Sequence, residues 1–373
     1  MSDNPEVSEL SVSPLELFFD LVFVFAVTQT AALIGRNQTV TGVLGGVLVF
    51  FMLWWAWQQY TWGINGVGNQ RLGVKLTLLL AMGLSLIMAL ALTDAFEANS
   101  PFFGIAYSLV LFLGLGLFYT GLRTREERTA LLQYLPLAAA GGVVVLIGSF
   151  LSPTWRVVAW AAGMGLELVA TIPAQRYDFK IKVGHFSERH GLFVILALGE
   201  SIVAIGLSAA QLDLSVEVAI AFSAAFLGAV TIWWLYFGRF ASAAEAALRG
   251  AGAGVRTRRA RDVFTMGHFP IVFGIVLFAV VAEQVASHPS DPLTSPVQWI
   301  FAVSVALITL GLIGASSRVG LPVLWERGVA GLIAIAVALV VPVVGWIVIA
   351  LFAAAMVVAL VTEAGRLVPV SAA

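Results

Sequence analysis

From Leu15 onward the sequence is a succession of apolar runs, each about 20 residues long and separated by short polar breaks. A run of that length rises about 30 Å as an α-helix, which is the thickness of the hydrocarbon layer of a bilayer. None of the runs alternates apolar and polar residues, so a membrane barrel is excluded. Helices remain as the way to satisfy a backbone in lipid. Composition agrees: of 373 residues 60% are hydrophobic and 11% charged, where soluble domains carry roughly a quarter charged.

The length rule predicts an all-α polytopic membrane protein with twelve transmembrane helices. They fall at about 15–35, 41–62, 72–93, 101–121, 132–151 and 155–174, then 190–210, 217–238, 263–286, 297–316, 323–341 and 344–363. With the N-terminus in the cytoplasm, only Arg36 and Arg156 of the 20 Lys and Arg residues fall on the outer side. Arg71, Lys75, Arg123, Arg125, Arg128, Arg176, Lys180, Lys182 and Arg189 all take the inner side, as do the remaining arginines. This positive-inside bias places both termini in the cytoplasm. The tail 1–14 carries three acids and no base, the wrong opening for a cleavable signal peptide, so it is expected to be retained. Cysteine is absent, which removes disulfide and thiol chemistry.

Two six-helix halves recur in parallel, 15–174 and 185–363, joined by a cytoplasmic linker at 175–184 and followed by a tail at 364–373. Trp54-Trp55 corresponds to Trp233-Trp234, and Arg71 with Asp94 to Arg261 with Glu283. "DLVFVFAVTQT" from Asp20 aligns without gaps on "GLFVILALGES" from Gly191, which sets Gln29 over Glu200. Parallel repeats of this kind occur in transporters, with the site between the halves.

Glu200 is the residue most open to a functional interpretation. Ten residues past His190, it lies about 15 Å into the bilayer, where a carboxylate costs several kcal/mol unless protonated, paired or bordering water. Glu167, within the sixth span, follows the same logic. Glu16 and Asp20 stand i, i+4 on one face of the first helix, and Gln29 continues that polar trace. They line a cytoplasmic vestibule, or serve the helix dipole and pair with Arg189 or Arg71. His185, Glu188, Arg189 and His190 form a cytoplasmic mouth. His185 and Glu188 alone are too few ligands for a metal, and no metal or cofactor is expected. His268 is read as bonded to a backbone carbonyl, with a proton relay to Glu200 as the alternative. The paired tryptophans read as helix packing, and Tyr60 with Trp62 as an interfacial belt. The basic loop "RGAGAGVRTRRAR" from Arg249 fits positive-inside topology with anionic lipid contact, and nucleic acid is not expected as a partner. No nucleotide-binding glycine loop occurs.

"SPLELFFDLVFVFAVTQ", Ser13 to Gln29, and "HFSERHGLFVILALGESIVAIG", His185 to Gly206, resemble the two signature segments of the bacterial low temperature requirement A (LtrA) family. "RDVFTMGHFPIVFGIVLFAVVAE", Arg261 to Glu283, resembles a third, with a His-Xaa-Pro in mid-helix. The resemblance implies a polytopic inner-membrane protein tied by name to growth in the cold. It implies recurring polar positions at Glu16, Asp20, Gln29, His185, Glu188, Arg189, His190, Glu200 and His268. "ELFFDLVFVFAV" is also similar to the Phe-Ser-Asp opening helix of a family of six-span-repeat potassium channels, with Phe19 in place of the serine. The expectation is a proton- or cation-coupled secondary transporter of a small solute, with no catalytic residues and Glu200 at a midplane site. The alternatives are a membrane scaffold whose polar residues are structural, a passive cation channel, and an intramembrane enzyme using His185, Glu188 and His190.

Overall fold

The computed structural model describes residues 12–67, 71–122, 124–174, 179–322 and 324–367. Arg123, Arg176, the first part of the linker and most of both tails lie outside these residues. Among those described, twelve helices follow one another and no strand forms. In chain order they are α1 Pro14–Arg36, α2 Val40–Val67, α3 Leu72–Leu92, α4 Ser100–Gly121, α5 Arg125–Gly148 and α6 Pro153–Ala174. Then come α7 Val183–Ala209, α8 Val216–Arg249, α9 Gly254–Ser287, α10 Ser295–Arg318, α11 Trp325–Val340 and α12 Gly345–Leu367.

Eleven of these helices are long and apolar enough to cross a membrane. The exception is α11, whose 16 residues rise about 24 Å. It stops because Pro342 forces Val341 into an extended conformation, φ −98° and ψ 114°. The chain restarts at Gly345, whose amide donates to the Asp291 carbonyl at 3.0 Å. A Cβ there would sit 2.8 Å from the Leu293 side chain and 2.9 Å from that of Val285, so a larger residue would have to displace them. Helices α8 and α9 run 34 residues each, well past their expected ends. Each contains a widened π turn, Tyr236–Phe240 in α8 and Ala260–Met266 in α9. The second lies just before Pro270, where the helix must absorb a missing amide and a ring clash. Helix α7 starts at Val183 rather than near 190, so Glu200 stands four residues past the helix centre at Leu196.

Two compact units divide the chain. The first takes 1–33, 40–193 and 248–261; the second takes 34–39, 194–247 and 262–373. Within the first, α2 and α3 pack on α4, α4 on α5 and α5 on α6, with α6 returning to α2. Helices α5 and α6 pack closely: a Cβ on Gly141 would lie 2.7 Å from the Gly163 carbonyl oxygen. Thr124 and Glu127 start α5 with reciprocal side-chain caps at 3.1 and 3.0 Å. Arg156, at the start of α6, donates to the Phe96 carbonyl and, at 3.0 Å, to that of Leu151. It thereby satisfies carbonyls released at helix ends. Within the second unit α9 packs on α10, α10 on α11, α11 on α12 and α12 on α8, with α8 returning to α9.

The tryptophan pairs differ in environment. Trp54 and Trp55 are 1% and 3% exposed, whereas Trp233 and Trp234 are 45% and 56% exposed. Packing describes the first pair only. Tyr60 is no belt residue either: it is buried, and its hydroxyl donates to the Val110 carbonyl at 2.7 Å.

Candidate functional site

The polar residues of α1 and α7 meet in the first unit as two rungs of one ladder. Glu16 and Asp20 are i, i+4 on α1; His185 and Arg189 are i, i+4 on α7, so each pair shares a face. His185 Nε2 lies 2.6 Å from Glu16 Oε2. One turn further along, Arg189 Nη2 pairs with Asp20 Oδ1. Arg189 Nε is also 3.9 Å from Glu16 Oε2, which cross-braces the rungs. All four side chains are buried. Both helices had to carry their polar residues at the same spacing for this to form.

Helix α2 completes the cluster. Trp57 Nε1 donates to Asp20 Oδ1 at 2.7 Å, and its ring centroid lies 5.3 Å from the Arg189 guanidinium carbon. The ring of Phe19 is 5.9 Å from that carbon, so two aromatic faces hold the cation. Gln58 Nε2 lies 3.0 Å from His190 Nε2. Asn65 accepts from the Lys182 amide at 2.8 Å and donates to the Lys182 carbonyl at 3.1 Å. Those two bonds fix its orientation, so its Nδ2 is the donor to His185 Nδ1 at 3.3 Å. His185 therefore accepts at Nδ1 and donates from Nε2 to Glu16. His190 Nδ1 donates to the Phe186 carbonyl at 2.8 Å, leaving Nε2 to accept from Gln58.

The cluster is dense but not saturated. Asp20 Oδ2 and Arg189 Nε and Nη1 are buried and have no hydrogen-bond partner among the described residues. Buried polar atoms are paired in most folded proteins, so these three are under-bonded for their burial. A charged pair with spare lone pairs and spare donors can exchange partners, or take up a proton or a water, without leaving the site.

Glu188 accepts from the Val12 amide at 3.2 Å and does not join His185. No group of three His, Cys, Asp or Glu side chains is arranged to hold a metal among the described residues. Gln29 and Glu200 are half-buried, and no hydrogen bond or ion pair engages either among the described residues. His268 Nδ1 donates to the Val263 carbonyl at 2.8 Å inside the π turn, and its Nε2 receives the Tyr236 hydroxyl at 2.7 Å. Glu167 sits in a separate buried group, where Oε2 accepts from Trp55 Nε1 at 3.0 Å and from the Tyr134 hydroxyl at 3.2 Å. Tyr134 also receives Gln59.

Sequence reasoning missed a third polar group, in the second unit. Arg327 of α11 holds Glu363 of α12 through Nε at 2.7 Å and Nη2 at 3.2 Å, and donates to the Leu235 carbonyl at 2.9 Å. One turn outward Arg366 holds Glu326 at 2.6 and 3.0 Å. The adjacent Glu326-Arg327 at the start of one helix and Glu363 with Arg366 at the end of the next were the available signal.

The model of the family described as bacterial low temperature requirement A protein (LtrA) matches residues 11–363. An uncharacterized protein of Rhizobium meliloti (strain 1021) is 31% identical over 291 residues, spanning 74% of this chain and 69% of that protein. No solved structure matches.

Proposed function

The chain belongs to the bacterial low temperature requirement A family of multi-pass membrane proteins, and from that premise we propose that it is a proton- or cation-coupled secondary transporter. Glu200, near the middle of α7, is the coupling carboxylate. The observation that carries this reading is its isolation: Glu200 is half-buried within an apolar helix and no described side chain compensates it. An intramembrane carboxylate without a structural partner is a substrate or proton site by default. The ladder of Glu16, Asp20, His185 and Arg189 serves as the cytoplasmic gate, opened by exchange of its incompletely bonded ion pair. Gln29 and His268 are assigned to the same pathway, and the basic turn between α8 and α9 contacts anionic lipid.

The two halves are read as parallel repeats, with both termini cytoplasmic and the chain in the inner membrane. Supporting the repeat, each unit follows the same packing order, from its third helix through its sixth and back to its second. Dependence of growth on this flux in the cold is the physiological reading that goes with the family name.

The test is flux. Protein reconstituted in vesicles loaded with a pH-sensitive dye is expected to dissipate an imposed proton gradient in a saturable, solute-dependent manner. Glu200→Gln is expected to abolish that dissipation. Flux indifferent to Glu200→Gln removes the assigned mechanism, and unitary current steps in a bilayer favour the channel. One observation favours the scaffold as a second reading: the α1–α7 ladder is buried and heavily bonded. Absence of any flux, with Glu200→Gln lowering thermal stability, would establish it.

A further inference from the structure

Each unit carries one buried carboxylate on its last helix, Glu167 on α6 and Glu363 on α12, 0% and 2% exposed. Both bond to the preceding helix, but they are compensated differently. Glu363 meets the Arg327 guanidinium with both oxygens, Oε2 at 2.7 Å and Oε1 at 3.2 Å. That is the symmetric, two-oxygen pattern of an ionised carboxylate against a cation.

Among the described residues no cation pairs with Glu167. The groups that face it are Trp55 from α2, Tyr134 from α5 and Tyr107 from α4, all uncharged. Tyr107 is itself engaged with Met164 Sδ at 3.2 Å. Both donors to Glu167 converge on Oε2, at 3.0 and 3.2 Å. Oε1 is buried without a partner among the described residues. It faces Gly141, where a Cβ would lie 3.3 Å from it and 2.7 Å from the Gly163 carbonyl oxygen.

An isolated ionised carboxylate in such a place costs several kcal/mol, and a buried acid avoids that cost by keeping its proton. A carboxylic acid has one oxygen that only accepts and one that carries hydrogen. Oε2 takes both donors and so acts as the carbonyl oxygen, which assigns the hydrogen to Oε1.

We propose that Glu167 is a proton-binding site in the core of the first unit, its proton supplying the compensation that Arg327 gives Glu363. Uptake is the simple association of a proton with the carboxylate, with Tyr134 and Gln59 as the hydrogen-bonded side chains leading away from it. The role of this proton in coupling rests on the transport reading; its presence does not.

Infrared spectroscopy of the purified full-length protein at neutral pH tests the proposal. The expected result is a protonated-carboxyl C=O band that shifts in D2O, disappears in Glu167→Gln and moves to higher frequency in Tyr134→Phe. Tyr134→Phe keeps the acid but removes one bond to its carbonyl oxygen, so it serves if Glu167→Gln fails to fold. A wild-type-minus-variant spectrum carrying the paired bands of a carboxylate, or a C=O band unmoved by Tyr134→Phe, would overturn the site. So would loss of the band on adding sodium or potassium chloride at fixed pH, which would make Glu167 a metal-cation ligand. A protein that carries the band yet shows no flux keeps the proton site and loses the transport reading.

Discussion

The indole nitrogen of Trp57 donates to Asp20 at 2.7 Å, and that of Trp55, two residues earlier on the same helix, donates to Glu167 at 3.0 Å. The neighbouring glutamines divide in the same way, Gln58 toward His190 and Gln59 toward Tyr134. Helix α2 thus presents one hydrogen-bonding edge to a charged pair and another to an uncharged acid.

The two tryptophans are expected to differ in worth. Trp57→Phe keeps a ring over Arg189 but removes a donor to an ionised carboxylate, a bond worth about 1.5–3 kcal/mol. Trp55→Phe removes a donor to a neutral acid, worth about 1 kcal/mol. Thermal melts in detergent should therefore rank Trp57→Phe as the more destabilised. The reverse order would contradict the assignment of charge to Asp20 and proton to Glu167.

Arg189→Met strands Asp20 in the core without its cation and is expected to cost about 3–5 kcal/mol. Adding Asp20→Leu removes the stranded charge and should recover most of that loss, because a well-packed apolar pair can replace a buried ion pair. The double variant then reports on function. Recovered stability with lost flux assigns the pair to gating; recovered stability with intact flux makes it structural.

The α5–α6 contact offers a steric test. Gly141→Ala places a methyl 2.7 Å from the Gly163 carbonyl, so the helices must separate at a cost of about 1–3 kcal/mol. At Gly165 an added methyl would meet nothing within 4 Å, so alanine there should bring little change or a slight gain. Equal melting temperatures for the two variants would argue against the close helix pair.

Because the chain has no cysteine, single cysteines can report topology directly. A cysteine replacing Gln211, after α7, is expected to react with an impermeant maleimide in intact cells. One replacing Gly252, between α8 and α9, should react only after permeabilisation. The opposite pattern would invert the orientation proposed for the termini.

The architecture was largely legible because apolar run length is a direct physical requirement of the bilayer, and eleven helices meet it. The exceptions have local causes: Pro342 shortens α11, and the two π turns sit within overlong helices. Within the site, the i, i+4 spacing of Glu16 with Asp20 announced a shared face, and Arg189 was among the partners it suggested. The α2 ligands were not legible. Trp57 and Trp55 bond to residues 37 and 112 positions away in sequence, and an indole in an apolar run carries no mark of the acid that it meets. Trp233-Trp234 shows the same limit from the other side, since an identical dipeptide is exposed where Trp54-Trp55 is buried.

The bonds through Asn65, His185 and Glu16 all point one way. Asn65 gives to His185 and His185 gives to Glu16, so the dipoles of the run add and polarise one another. Reversing it would require the Asn65 amide to turn over, which would break both of its bonds to Lys182. One asparagine, pinned at two backbone atoms, therefore sets the electrical sense of the whole run, with its negative end resting on the first turn of α1.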